Sequence, residues 1–138
     1  MEKVVADASV IVKWFVDEVY SKNARKLRDE YINGSVEIIS PELMPYEVLN
    51  ALKHKGLFNK EEIVTAARVI TLYGFRLYPL TGKLAERTAE IAVENDLTIY
   101  DASYIALAEE QKAKLYTADE KLIEKAKFDF VMHIREFV

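Results

Sequence analysis

Short apolar runs alternate along this chain with longer stretches whose apolar residues recur every three or four positions. Val4-Val5-Ala6 reads as a strand ending at Asp7, and residues 8–15 (ASVIVKWF) read as a short buried helix. Next come a helix over 21–33 stopped by Gly34, with Ala24, Leu27, Tyr31 and Ile32 near one face, and a strand over 36–39. A helix opened by Pro41 then runs to Gly56. The same reasoning gives a helix over 60–73, a strand over 75–78, helices over 81–95 and 101–111, a strand over 114–117, a helix over 120–127 and a last strand over 130–133. Parallel strands need helical crossovers, and this alternation supplies them. The expected fold class is therefore α/β: a mostly parallel central sheet flanked by helices on both faces. With 138 residues the chain can build one core but not two ordinary ones, so a single domain over 1–138 is expected.

Open sheets of this kind bind ligands beyond the carboxyl ends of their strands. That rule draws attention to acids set in apolar surroundings. Asp7 lies in VVADASVIV, Glu47 in LMPYEVLNAL, Asp101 in LTIYDASYIALA and Asp119 in LYTADEKLI. Taken singly, each has an ordinary alternative. Asp7 and Asp101 can be helix N-caps. Thr117 with Glu120 makes a capping box, leaving Asp119 as a favourable first-turn anion. Glu47 can be a solvated helix residue.

If the four converge, their charges repel, and protons or cations must neutralise them. The chain has no Cys, which excludes thiolate metal sites, and its only two His, His54 and His133, argue against a His-rich zinc site. Oxygen ligands suit Mg²⁺ or Mn²⁺, which serve phosphoryl transfer and phosphodiester hydrolysis. The net charge of −4 requires a local basic patch or bound metal if the partner is a polyanion.

Four segments together resemble the PIN-domain ribonucleases, and among them the small VapC-type toxins: VVADASV, PYEVLNAL, YDASYIALA and YTADEKL. Their order and spacing fit, and the resemblance covers essentially the whole chain. It implies that Asp7, Glu47, Asp101 and Asp119 form a catalytic and metal-binding acidic quartet. It implies supporting polar roles for Ser9, Asn50 and Thr117, and a sheet of order 3-2-1-4-5. The implied activity is Mg²⁺- or Mn²⁺-dependent endoribonuclease, leaving 5′-phosphate and 3′-hydroxyl ends. The implied partners are an RNA substrate, a cognate VapB-like antitoxin and a second copy of the chain in a homodimer.

Around the acids, Lys13, Trp14, Tyr46 and Tyr104 suit RNA phosphate contacts and base stacking. Core or dimer packing is the favoured reading for Trp14, Phe15 and Tyr104. Lys53-His54-Lys55 reads as favourable charge at a helix C-terminus. Other enzyme classes fit less well. A haloacid-dehalogenase phosphatase would want a second acid where Ser9 stands, a receiver would want a further central Asp, and an RNase H-like fold would begin with antiparallel strands. The remaining alternative is a non-catalytic PIN-like module that binds RNA or protein. No apolar run is long enough to span a membrane, and the N-terminal residues lack a signal peptide's apolar region, so a cytoplasmic location is expected.

Overall fold

In the computed structural model, which describes residues 1–138, the alternation becomes a five-stranded sheet of order β3-β2-β1-β4-β5. The strands are β1 (Glu2–Ala6), β2 (Val36–Pro41), β3 (Arg76–Tyr78), β4 (Lys114–Thr117) and β5 (Val131–His133). Every neighbouring pair is parallel. The helices are α1 (Ala8–Val12), α2 (Ser21–Ile32), α3 (Met44–Lys55), α4 (Lys60–Tyr73), α5 (Gly82–Asn95), α6 (Ile99–Gln111) and α7 (Glu120–Ala126), and a short 3₁₀ turn (Ile134–Glu136) ends the fold. The expected fold class and strand order hold.

The sheet is buried because its central strands are apolar on both faces. Val4, Val5, Ala6, Ile38, Ile39 and Leu115 are fully buried. Helix α6 packs across β1, β2 and β4. It is buried from Ala102 through Ala108 without a break, as befits a helix apolar all round. Chain order reverses at β1, whose neighbours are β2 on one side and β4 on the other. Crossovers in such sheets are right-handed, so the helices before β3 and those after it cover opposite faces. The carboxyl ends of β1 and β4 thus open at the topological switch point.

Several boundaries move, each for a physical reason. The helix after Asp7 ends at Val12 instead of residue 15, and turns of i→i−3 bonding continue to Phe15. Pro41 does not open a helix. It ends β2 in register with Tyr78, and Pro45 is the proline in the first turn of α3. Both positions tolerate the missing N–H, so a proline rule alone does not choose between them. Ile32 is exposed at the end of α2, whereas Ala24 and Leu27 are buried as expected. Trp14 is a core residue: it is buried, and its indole N–H donates to the carbonyl of Ala24 at 2.8 Å.

Candidate active site

Asp7 leaves the carboxyl end of β1 and caps the five-residue helix α1. Its carboxylate accepts from the Ser9 main-chain N–H at 3.0 Å and from the Ser9 hydroxyl. Ser9 is itself held from β4, for its Oγ accepts the Ala118 N–H at 2.9 Å and lies 3.5 Å from Thr117 Oγ1. Thr117 is fully buried and accepts the Asp119 N–H at 3.0 Å. Asp119 then caps α7, accepting from the N–H groups of Lys121 and Leu122. The cap of α7 is therefore Asp119, and the expected capping box of Thr117 with Glu120 does not form. Capping leaves lone pairs free at Asp7 and Asp119, because a carboxylate has two oxygens and about four lone-pair directions.

The other two acids come from helices. Glu47 sits in the first turn of α3, and the Tyr104 hydroxyl of α6 donates to its Oε1 at 2.6 Å. Asp101 is not a cap. Thr98 is the N-cap of α6, and its Oγ1 accepts the Asp101 N–H at 3.0 Å.

The electrostatics tie the four together. Burial pushes the Asp7 carboxyl up from 3.8 to about 6, against the hydrogen bonds of Ser9 and Thr117, and the Asp101 charge adds to the rise. Burial also raises Glu47, opposed by the Tyr104 hydrogen bond and reinforced by Asp101. Asp101 is raised by burial and then by Asp119, against a hydrogen bond from Thr98 and the more distant charge of Lys125. Asp101 thus feels the charge of each of the other three. None of the four is ion-paired to a basic side chain. A buried carboxylate without a cation is costly.

The residues fit a divalent cation in donor chemistry and in charge, since every available ligand is a hard oxygen and Asp7 is buried without a counter-ion. No three of these carboxylates meet closely enough to enclose one ion. An ion held here would take several ligands from water, as Mg²⁺ commonly does.

Of the expected supporting residues, Ser9 and Thr117 belong to this network. Asn50 is exposed one turn beyond Glu47, in an adjoining groove with Tyr46 and Lys53. Tyr104 is 2% exposed and forms part of the core as well as the site. Its role in fixing Glu47 has no local signal in the sequence, because the partners lie 57 positions apart. Tyr46, by contrast, is 78% exposed on the surface beside Glu47.

Comparison with known proteins agrees with this architecture. Residues 4–128 match the PIN domain family. Ribonuclease VapC3 of Pyrobaculum aerophilum is 32% identical over 128 residues, covering 89% of this chain and 94% of the relative. A toxin–antitoxin complex from Klebsiella pneumoniae contains a chain with the same fold, at TM-score 0.71 and 18% identity, covering 95% of this chain and 97% of that one. The Mycobacterium tuberculosis toxin VapC20, described as cleaving the sarcin–ricin loop, shares the fold at TM-score 0.71 and 18% identity, covering 93% of this chain and 98% of that one.

Proposed function

This chain belongs to the PIN-domain family, in its VapC-type branch, and from that premise we propose that it is a metal-dependent endoribonuclease acting as the toxin of a toxin–antitoxin pair. The observation that carries this reading is Asp7: a buried carboxylate at the end of β1, without a basic partner, electrostatically coupled to Asp101. Asp7, Glu47, Asp101 and Asp119 would hold Mg²⁺ or Mn²⁺. When bound, such an ion supplies charge to the phosphate oxygens and lowers the pKa of coordinated water.

The chain's own contribution is positioning and proton handling. Ser9 and the β4 end fix Asp7, so its carboxylate can receive the proton of an attacking water. The water oxygen bonds to phosphorus in line with the departing 3′ oxygen, which takes a proton from solvent. Tyr104 holds Glu47 toward the same space. The ring of acids discriminates against an anion that arrives without a cation, which makes hydrolysis conditional on metal.

The partner expectations follow the same premise: an RNA substrate, a VapB-like antitoxin that masks the site, and a homodimer. A toxin–antitoxin complex among proteins of this fold supports the antitoxin. So does the exposed apolar surface beside Glu47, where Leu43, Tyr46, Leu49 and Tyr100 line one groove. No helix is long and apolar enough to cross a membrane. The cytoplasm, where RNA substrate is available, is the proposed location.

The experiment is thermal melting of wild type and Asp101→Asn with and without Mn²⁺, alongside an RNA cleavage assay. Asn is nearly isosteric with Asp, so the change isolates charge. Mn²⁺ at about a hundred times its Kd should stabilise the wild type by about 2.7 kcal/mol and the variant much less. Cleavage should require the metal and be lost in the variant. Equal Mn²⁺ shifts in both proteins, with cleavage retained, would sink the proposal.

A further inference from the structure

With a net charge of −4 and four carboxylates at its centre, this protein repels the polyanion it is proposed to cut. A cation bound by the acids offsets part of that repulsion, and the structure adds a second source of positive charge at the rim. Lys13, the residue after α1, is only 8% exposed. Its ammonium group donates to Glu18 Oε1 at 3.2 Å, and Lys55, the last residue of α3, donates to Glu18 Oε2 at 3.0 Å. One carboxylate is thus shared by two ammonium groups. Burial opposes ionisation of Glu18, yet the hydrogen bonds and charges of Lys55 and Lys13 hold its carboxyl below the usual range.

This triad faces the site. Lys13, Glu18 and Lys55 line the same groove, of about 570 Å³, as Ser9, Glu47 and Asp119. A staple between the α1 loop and the end of α3 needs only one ion pair. The second lysine gives the triad a net positive charge in a groove it shares with Glu47 and Asp119. Lysine is a compact charge with three donors on a flexible stem, able to turn from a carboxylate to a phosphate oxygen.

We infer that Lys13 and Lys55 form a phosphate-binding subsite for the RNA strand next to the scissile bond, with Glu18 holding both lysines in the free protein and yielding them to the phosphate. This inference rests on the nuclease reading and deepens it. Phosphate contacts fix register without reading sequence, so the subsite grips every RNA alike.

The test is equilibrium binding of a short labelled single-stranded oligoribonucleotide, measured by fluorescence anisotropy over a salt series. All variants are made in the wild-type background with Ca²⁺ in place of Mg²⁺, so that the acidic site stays intact and binding is read with cleavage suppressed. Lys55→Gln should weaken binding several-fold for any sequence and reduce the magnitude of the salt slope by about 0.7. Lys13→Gln should do the same, and Lys13→Arg, which keeps the charge in this nearly buried place, should retain most of the affinity. Glu18→Gln should tighten binding more than Glu86→Gln does, an equal change in net charge at an exposed position of α5. A purely structural triad would lose stability in Glu18→Gln without gaining affinity. Unchanged affinity and slope in Lys55→Gln, or no advantage of Glu18→Gln over Glu86→Gln, overturns the subsite and leaves the nuclease reading standing. Failure of the parent protein to bind RNA overturns both.

Discussion

The sheet side of the acidic site and its helix side are held in place by different means. Asp7, Ser9, Thr117 and Asp119 hang on the ends of β1 and β4, two strands that pair with each other. Main-chain N–H groups bond to Asp7, Ser9, Thr117 and Asp119. Glu47 and Asp101 ride on α3 and α6, and each has one local restraint: the Tyr104 hydroxyl for the Glu47 carboxylate, the Thr98 hydroxyl for the Asp101 main chain. The sheet-side acids, buried Asp7 and exposed Asp119, each accept main-chain N–H groups, while the half-buried helix-side carboxylates have side-chain partners alone. A site divided this way combines a rigid reference charge with adjustable partners, which suits a cation that keeps part of its water shell.

The difference is broken most forcefully at Asp7. Its carboxyl holds a proton to about pH 6 when folded, against 3.8 ordinarily. Between those values the folded chain binds more protons than the unfolded one. Stability therefore falls as pH rises through that window and stays low above it. The shift corresponds to roughly 3 kcal/mol at neutral pH. Asp7→Asn should recover up to that amount in metal-free protein at neutral pH, and the gain should vanish below about pH 4. RNA hydrolysis should drop by about 10²-fold or more, as expected on losing a general base. Urea melts at several pH values with a parallel cleavage assay decide the matter; a variant that is less stable at every pH would contradict the buried-charge account.

Ser9→Ala comes next. It removes the hydroxyl that bridges Ala118 N–H to Asp7 and leaves both partners short of a bond in a part-buried setting. The expected cost is about 1–3 kcal/mol. It should be smaller in an Asp7→Asn background, where no charge depends on the bond. A double-mutant cycle of denaturation midpoints measures that coupling, and strict additivity would show that Ser9 serves the loop alone.

The same division explains which parts of the site are legible in the sequence. Asp7 and Asp119 can be found because strand ends are local: an apolar run stops and an acid follows. Asp101 is conspicuous in its apolar segment, but its backbone role is not readable there, since Thr98 takes the cap three residues earlier. Glu47 has the weakest local signal. Its helix begins at Met44, with Pro41 left in the preceding strand, and what fixes its carboxylate is a tyrosine from a distant helix. Lys55 looks like ordinary charge at a helix C-terminus, and only the fold brings it to Glu18 and Lys13. The parallel sheet is legible for the opposite reason: strand–helix alternation constrains it without any long-range pair being known, whereas its order is implied only by the resemblance to the PIN-domain family.

On the helix side, Thr98→Ala removes the cap of α6 and should cost about 1 kcal/mol. Because α6 is buried from Ala102 through Ala108, its position is set by packing, and cleavage should stay within a few-fold of wild type. Loss of activity comparable to that of Asp7→Asn, at unchanged stability, would mean that Asp101 is placed by its cap more than by the core.

The smallest effect is expected from Tyr104→Phe, and it separates the two sides most finely. The ring stays in the core, so the main loss is the bond to Glu47, with a lesser contact to the Ala8 main chain, at a cost of about 1 kcal/mol because half-buried Glu47 can recruit water instead. Burial already raises the Glu47 carboxyl and the Tyr104 hydroxyl opposes that rise. Without the hydroxyl the carboxyl should titrate still higher, so a larger fraction is protonated under mildly acidic conditions. The acid limb of the pH–rate profile should then move to higher pH, while the neutral plateau changes little. Asp7, wired through Ser9 and β4, should titrate as before. Carboxyl resonances followed by NMR across the pH range distinguish the two groups. An upward displacement at Glu47 alone is the result expected of a site with one fixed and one adjustable side, and equal displacement at Asp7 would show the two sides to be a single coupled unit.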